Sequence, residues 1–276
     1  MRSLLTLPLV LVAAGGSAAQ PQAVPQLIFP VVGQATYYDD FGEPRGRLRH
    51  QGNDILAARK APAVAAEAGM VEFWTTSPGA GCMLYLRGES GTTYQYIHLN
   101  NDLGKGNDNR GKCIPGVAYA PGLANGSAVV AGQQIGFVGD SGDANGIHPH
   151  LHFEVHPGGM AAVDPFRFLK RAQKLLFAAT PGSTVALSLT GTVRAADDLT
   201  LTFRAKTLRV VPKGISLKKV GRTLTLSLVP ESFGAARPEA LIGTEAVVLT
   251  EPALATLAVQ LGKGLTAARI ASAPTR

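Results

Sequence analysis

Four histidines and one aspartate carry the chemistry that is legible in this sequence. His50-Gln51-Gly52-Asn53-Asp54 sets an imidazole and a carboxylate four residues apart around a glycine. Far downstream, His150-Leu151-His152 sets two imidazoles two residues apart, and Tyr96-Ile97-His98-Leu99 closes an apolar run with a third histidine position. Hydrolytic zinc sites use three nitrogen or oxygen protein ligands and leave the fourth position to water, so two His and one Asp make a sufficient donor set. Zinc lowers the pKa of such a water from 15.7 to about 7, which yields a nucleophile at neutral pH. The remaining two histidines could orient that water and stabilise the oxyanion of a tetrahedral intermediate. Each motif alone is common; an isolated H-x-H is more often surface or core decoration. Together, in a glycine-rich setting, they form a constellation.

Strands must position these groups. Residues i and i+2 of a strand share a face, so His150 and His152 point one way while Leu151 and Phe153 point into a core. The composition agrees: 46% hydrophobic residues among 276 permit a sizeable core, and 32 Gly and 18 Pro with 6% aromatics favour short strands and turns. Strands are expected at 63–66, 70–75, 83–87, 92–98, 134–138 and 150–156, with a closing helix at 166–177. Residues 100–125 form a polar Gly/Asn-rich segment, longer than a usual connection. Residues 178–183 read as a linker. Beyond it, 184–193, 199–211, 215–229 and 246–250 alternate apolar and polar residues rich in Thr and Val, as half-exposed strands do. The fold class is therefore mainly β, with a small all-β module at 184–276 that ends in an Ala/Leu-rich stretch and a flexible basic tail.

The N-terminus reads as a signal peptide over residues 1–19: a basic start, an apolar run from Leu4 to Ala14, and Ser17-Ala18-Ala19 as small residues before a cleavage point. That run is shorter than the ~20 residues needed to cross a bilayer, so the mature chain is expected to have no transmembrane segment. Residues 20–30 are an extended lead-in to a domain at 31–177. The whole formal charge of +7 lies after residue 171, with seven bases and no acid between Arg204 and Arg222. A basic β module on an exported protein suits anionic envelope polymers, or is simply a solvated surface; nucleic acid is not an expected partner.

The set His50–Asp54, Tyr96–Leu99 and Gly139-Asp-Ser-Gly142 leading to Pro149-His-Leu-His-Phe-Glu154 resembles the LytM/lysostaphin-type zinc metallopeptidases, the M23 peptidase family. The resemblance covers roughly residues 30–170. It implies an antiparallel sheet flooring an open cleft, Zn2+ held by His50, Asp54 and His152, and His98 and His150 assisting catalysis. It implies hydrolysis of peptide cross-links of peptidoglycan by an exported endopeptidase in the periplasm or cell wall. Two other readings share parts of this pattern: a secreted protease acting on glycine-rich proteins, and a non-catalytic regulator of cell-wall amidases. The regulator would be marked by lost ligands, and all five positions are present. The 100–125 segment would sit beside the cleft, where it either narrows or extends the substrate groove or is a decorative loop. His148 reads as a loop residue and His156 as an exposed strand end. An exported chain with two cysteines invites a Cys82–Cys113 disulfide, the alternative being two unpaired thiols.

Overall fold

The computed structural model describes residues 23–74, 77–175, 177–178, 183–211, 216–232, 237–254 and 265–272. The expected signal peptide and residues 179–182 of the expected linker lie outside them. In chain order the first half holds β1 (Ala35–Thr36), β2 (Pro44–Arg45), β3 (Leu48–Arg49), β4 (Asn53–Ala57), β5 (Pro62–Val64), β6 (Gly69–Trp74), β7 (Cys82–Gly88), β8 (Thr93–Leu99), β9 (Ala128–Val129), β10 (Gln134–Phe137), β11 (His150–His156) and α1 (Phe166–Leu169). The second half holds β12 (Thr184–Ala196), β13 (Thr200–Val211), β14 (Ser216–Leu228), β15 (Glu245–Thr250), β16 (Ala253–Leu254) and β17 (Thr266–Ser272).

Alternation in β11 builds the centre of the molecule. Leu151, Phe153 and Val155 are fully buried on one face, against Tyr94, Tyr96, Leu84 and Leu86. Phe153 stacks on Tyr94 and meets Tyr96 edge-on, with ring centroids 5.9 and 5.3 Å apart. Burial of each such aromatic side chain stabilises the sheet by about 1.5–3 kcal/mol. The opposite face of β11 presents His150, His152, Glu154 and His156. Seven strands pair antiparallel in the order β1-β4-β11-β8-β7-β6-β9, so the histidine strand sits between the strand bearing Asp54 and the strand ending in His98. The expected strand at 150–156 has the same bounds in the structure, and the others differ by a few residues at their ends.

The expected helix at 166–177 is a correction: only Phe166–Leu169 is helical. Gln173 leaves the helix because its backbone pairs with the lead-in, donating to Leu27 O and accepting from Phe29 N at 2.9 Å each. The lead-in is accordingly built into the molecule. Leu27 and Phe29 are buried in the first core, while Ile28, Leu175 and Phe177 belong to the cluster that continues into the second half.

In the second half, β12 pairs with both β13 and β15, β13 with β14, β14 with β17, and β17 with β15. These pairings close a five-stranded barrel, which leaves no free edge among its members. The composition offers the chain beyond residue 250 as tail, yet Thr266–Ser272 is a strand between β14 and β15. Leu265, Ala267 and Ile270 are buried in the barrel core, which outweighs the segment's Ala-rich composition. Among the described residues, no helix is long and apolar enough to cross a membrane.

Candidate metal centre

The antiparallel register places Asp54 directly opposite His152, with His150 opposite Leu56. His50 lies just before β4, held by hydrogen bonds from its N–H to Glu43 O and from Gly42 N–H to its own carbonyl. Gly52 is required between them: a Cβ there would lie 2.7 Å from both His152 Nε2 and Phe153 O. That close approach explains the glycine in the His50–Asp54 motif.

Ligand atoms of His50, Asp54 and His152 converge, all within 4.8 Å of one another. His50 Nε2 is 2.9 Å from His152 Nδ1 and 3.1 Å from Asp54 Oδ1, and His152 Nδ1 is 3.1 Å from the same oxygen. The second nitrogen of each ring decides what the first can offer. His50 Nδ1 lies 2.9 Å from Asp40 O, and His152 Nε2 lies 2.9 Å from Glu154 Oε1. A carbonyl or carboxylate oxygen only accepts, so each of those nitrogens carries the hydrogen and donates it. The inward nitrogens are then lone pairs. Three acceptors thus face one another at 2.9–3.1 Å with no hydrogen of their own to share. Such a cluster demands a cation. A zinc ion ~2.0–2.1 Å from each ligand in a tetrahedron would separate them by about 3.3 Å, close to what is found. The donor set and spacing fit.

The electrostatics agree. Burial opposes charge on both partners, but hydrogen bonds to His152 and His50 hold Asp54 far below the usual carboxylate range. Burial likewise opposes charge on His152, yet its bonds to Asp54 and Glu154 push it up to about 9. In the metal-free chain a proton supplies the positive charge that the cluster needs.

The other two histidines follow the same rule. His98 Nδ1 donates to Ser141 O at 2.9 Å, and His150 Nδ1 donates to His148 O at 3.0 Å, leaving both Nε2 atoms unprotonated. His150 Nε2 is 3.8 Å from Asp54 Oδ1, and the rings of His98 and His150 are 5.0 Å apart. Burial, with His150 and His152 nearby, lowers His98 to about 4. His98 also takes a left-handed backbone, φ 61°. A non-glycine residue there costs about 1–3 kcal/mol and persists only where its surroundings over-determine it. They do: its ring is tied to Ser141 O, its N–H to Ala80 O, and the next carbonyl, Leu99 O, accepts from Ser141 Oγ. The Gly139–Gly142 turn is thus a positioning device for His98. Within it, a Cβ on Gly142 would lie 2.1 Å from Gly79 O.

All five expected residues line one open cleft of about 640 Å3, together with Arg45, Leu48, Arg49, Ile97 and Asp143. The 100–125 segment sits beside the cleft wall but contributes no residue to the lining, so of the two expectations for it the shaping of the groove is not met. It braces the wall from behind: Asn107 and Asn109 donate to Asn145 Oδ1, and Cys113 is disulfide-bonded to Cys82. Buried Asp102 and Asp140 share Arg59, which ties the segment to the Gly139–Gly142 turn. His148 is an exposed loop residue. His156 is a correction: it is half-buried, with Nε2 2.6 Å from Glu154 Oε2 and Nδ1 2.8 Å from Met160 O. Glu154 and His156 were missed as site residues, although His-x-His-x-Glu-x-His at period two puts all four on one face. Arg45 was also missed; its Nη2 donates to Asp54 Oδ2 at 2.8 Å.

No protein-family profile matches the chain. A curated relative, the L-Ala--D-Glu endopeptidase of Bacillus subtilis (strain 168), is 28% identical over 135 residues, 46% of this chain and 36% of the relative. The match spans about a third of that relative's length. Among solved structures, the catalytic domain of the antimicrobial peptidase lysostaphin from Staphylococcus simulans is 24% identical over 49% of this chain and 92% of its own, at TM-score 0.37. A catalytic-domain variant of the prophage-encoded M23 protein EnpA from Enterococcus faecalis is 24% identical over 50% of this chain and 94% of its own, at TM-score 0.36. A zinc containing peptidase from Vibrio cholerae is 24% identical over 57% of this chain and 41% of its own, at TM-score 0.37. These are peptidases of the kind that the motifs resemble.

Proposed function

We propose that this chain is an exported zinc endopeptidase of the LytM/lysostaphin type that hydrolyses peptide cross-links of peptidoglycan. The observation that carries the reading is the meeting of His50 Nε2, Asp54 Oδ1 and His152 Nδ1 as three lone-pair donors with their hydrogens committed elsewhere. His50, Asp54 and His152 would hold the zinc. When bound, the ion supplies Lewis-acid polarisation and a water acidic enough to serve as nucleophile near neutral pH.

The chain's own residues do the remaining work. His98 and His150 present unprotonated Nε2 atoms to the cleft, so either can accept a proton from the attacking water. The resulting imidazolium returns that proton to the leaving amine. Asp143 Oδ1, 3.6 Å from His98 Nε2, favours the transient charge on His98. Glu154, buried and bonded to His152 Nε2, fixes the tautomer that leaves His152 Nδ1 free. The open cleft suits an extended peptide rather than a small molecule. The basic barrel would add attraction to anionic envelope polymers, with the peptidase chemistry confined to the first half.

Mass spectrometry of muropeptides released from purified sacculi tests the proposal, with and without chelator and added zinc. New cross-link fragments that vanish with chelator and in His152→Ala are expected. No release from any wall type by a chain with one zinc bound would overturn it.

A further inference from the structure

We infer that the open face of the sheet carries a saccharide subsite at Trp74 and Tyr85, which takes the uncharged N-acetylated sugar joined to a peptide lying in the cleft; the inference rests on the peptidase reading. The face that presents His152 and Glu154 on β11 continues across β8, β7 and β6. Register sets Glu154 opposite Gln95 and Gln95 opposite Tyr85, and Trp74 lies beyond, opposite Met83. β6 is the third strand from β11 in the sheet. At ~4.8 Å per strand, Trp74 is about 14 Å across the sheet from the histidine strand. An extended chain covers that distance with about four residues. A sugar at one end of a short stem peptide is therefore within reach of Trp74 while a bond near the other end lies in the cleft.

Trp74, Tyr85, Arg87, Thr93, Gln95 and His156 line a depression of about 290 Å3 there, at the lower end of ligand-sized pockets. The two aromatic rings stand at 80° with centroids 5.7 Å apart, so they form a corner and do not cover each other as a stack would. Arg87 lies over the Tyr85 ring at 5.5 Å, which leaves the indole, 38% exposed, to a ligand. Polar atoms without partners surround the corner: among the described residues Trp74 Nε1, Tyr85 Oη, Thr93 Oγ1 and Gln95 Oε1 make no hydrogen bond. Gln95 is held from its other end, with Nε2 3.0 Å from His156 Nε2. Indole N–H and phenol O–H groups take a partner when a ligand covers them.

Charges at the depression are already matched. Arg87 Nε and Nη2 donate to Glu72 Oε2 at 2.9 and 2.7 Å, and Glu154 Oε2 is 2.6 Å from His156 Nε2. A charged ligand would have to displace one of these pairs, and a neutral one would not. Backbone recognition is closed as well. β7 and β8 are paired on both sides, so the floor offers side chains alone and no strand edge for an added peptide. The ligand that fits is neutral, with one apolar face for the indole and a rim of hydroxyl and amide groups for the unpartnered atoms. A pyranose bearing an acetamido group has that form.

Trp74 is the only tryptophan in the chain, so its emission reports on this site directly. Titrating the zinc-loaded full chain with di-N-acetylchitobiose, an uncharged sugar without peptide, should give a saturable blue shift as the indole is covered, with a dissociation constant of about 1 mM. Saturation-transfer NMR needs no indole signal. It should find binding weakened about 10-fold in Trp74→Ala and restored to within about threefold in Trp74→Phe, with circular dichroism confirming the fold. A sugar-free alanine tetrapeptide should leave the emission unchanged. An equal shift with that peptide would make the corner a peptide subsite and overturn the inference, as would the lack of any saturable response to the sugar. Cleavage of sacculi reports separately on the peptidase reading. A sugar response without cleavage supports the subsite and counts against the hydrolase, whereas cleavage without a sugar response keeps the hydrolase and removes the subsite.

Discussion

Replacing Glu154 with Gln changes one atom's chemistry without changing shape, and it acts on the ligand tautomer that the account depends on. Glu154 is buried, with Oε1 2.9 Å from His152 Nε2 and Oε2 2.6 Å from His156 Nε2. Burial raises its pKa, but the bonds to His152 and His156 bring it down to about 2, so it works as a carboxylate with two acceptors. Glutamine has one acceptor and one donor group. If its oxygen keeps His156, its NH2 faces His152 Nε2 and favours the tautomer with the hydrogen on Nδ1, aimed at Asp54 and His50. If its oxygen keeps His152, two donors meet at His156. Loss of such an outer partner typically costs 10–100-fold in metal affinity, or about 1.4–2.7 kcal/mol. Zinc competition against a chromophoric chelator at pH 7.5 reads this directly, with circular dichroism confirming the fold. A dissociation constant within about twofold of the unaltered chain, with the fold intact, would refute the claim that Glu154 sets the His152 tautomer.

Three further expectations follow from named contacts. Arg59→Ala leaves Asp102 and Asp140 buried without their cation; destabilisation of about 3–5 kcal/mol is expected in urea melts, and an unchanged midpoint would show that the pair is not needed. Reducing the Cys82–Cys113 disulfide, which spans 31 residues, should cost about 3–4 kcal/mol in the chain-entropy model and should lower Tm while the sheet signal persists at room temperature. His98 is lowered to about 4 by burial and its histidine neighbours, against an ordinary value near 6.5. Between those values the unfolded chain takes up a proton that the folded chain refuses, so stability falls as pH drops from 6.5 to 4, by about 3 kcal/mol in total. His98→Gln should flatten that part of the pH–stability curve; an identical slope in the variant would remove His98 as its source.

Much of the site was legible because strand geometry is periodic. His150 and His152 share a face by period two, and the buried faces of Leu151 and Phe153 fix which one. Asp54 and His50 were found through motif spacing, although their meeting with His152 depends on a cross-strand register that spacing alone does not set. The helix at 166–177 failed because apolar spacing cannot anticipate that Gln173 pairs with Leu27 and Phe29. The strand at 266–272 was hidden by Ala, whose weak side-chain signal leaves barrel closure to Leu265 and Ile270. Arg45 and Glu154 escaped notice for a different reason. Their roles come from what their side chains touch, and Arg45 reaches Asp54 only because β2 and β3 fold back as a hairpin over the cleft.

Four histidines are locked in tautomers that aim lone pairs into one cleft, and two of those lone pairs, on His50 Nε2 and His152 Nδ1, meet Asp54 Oδ1 to make the proposed zinc site. Two-bond 15N–1H correlation spectra of the zinc-loaded chain read those tautomers one ring at a time. Hydrogen on Nδ1 is predicted for His50, His98 and His150, and on Nε2 for His152. His152 with its hydrogen on Nδ1, or zinc-independent chemical shifts at His50 and His152, would contradict the account.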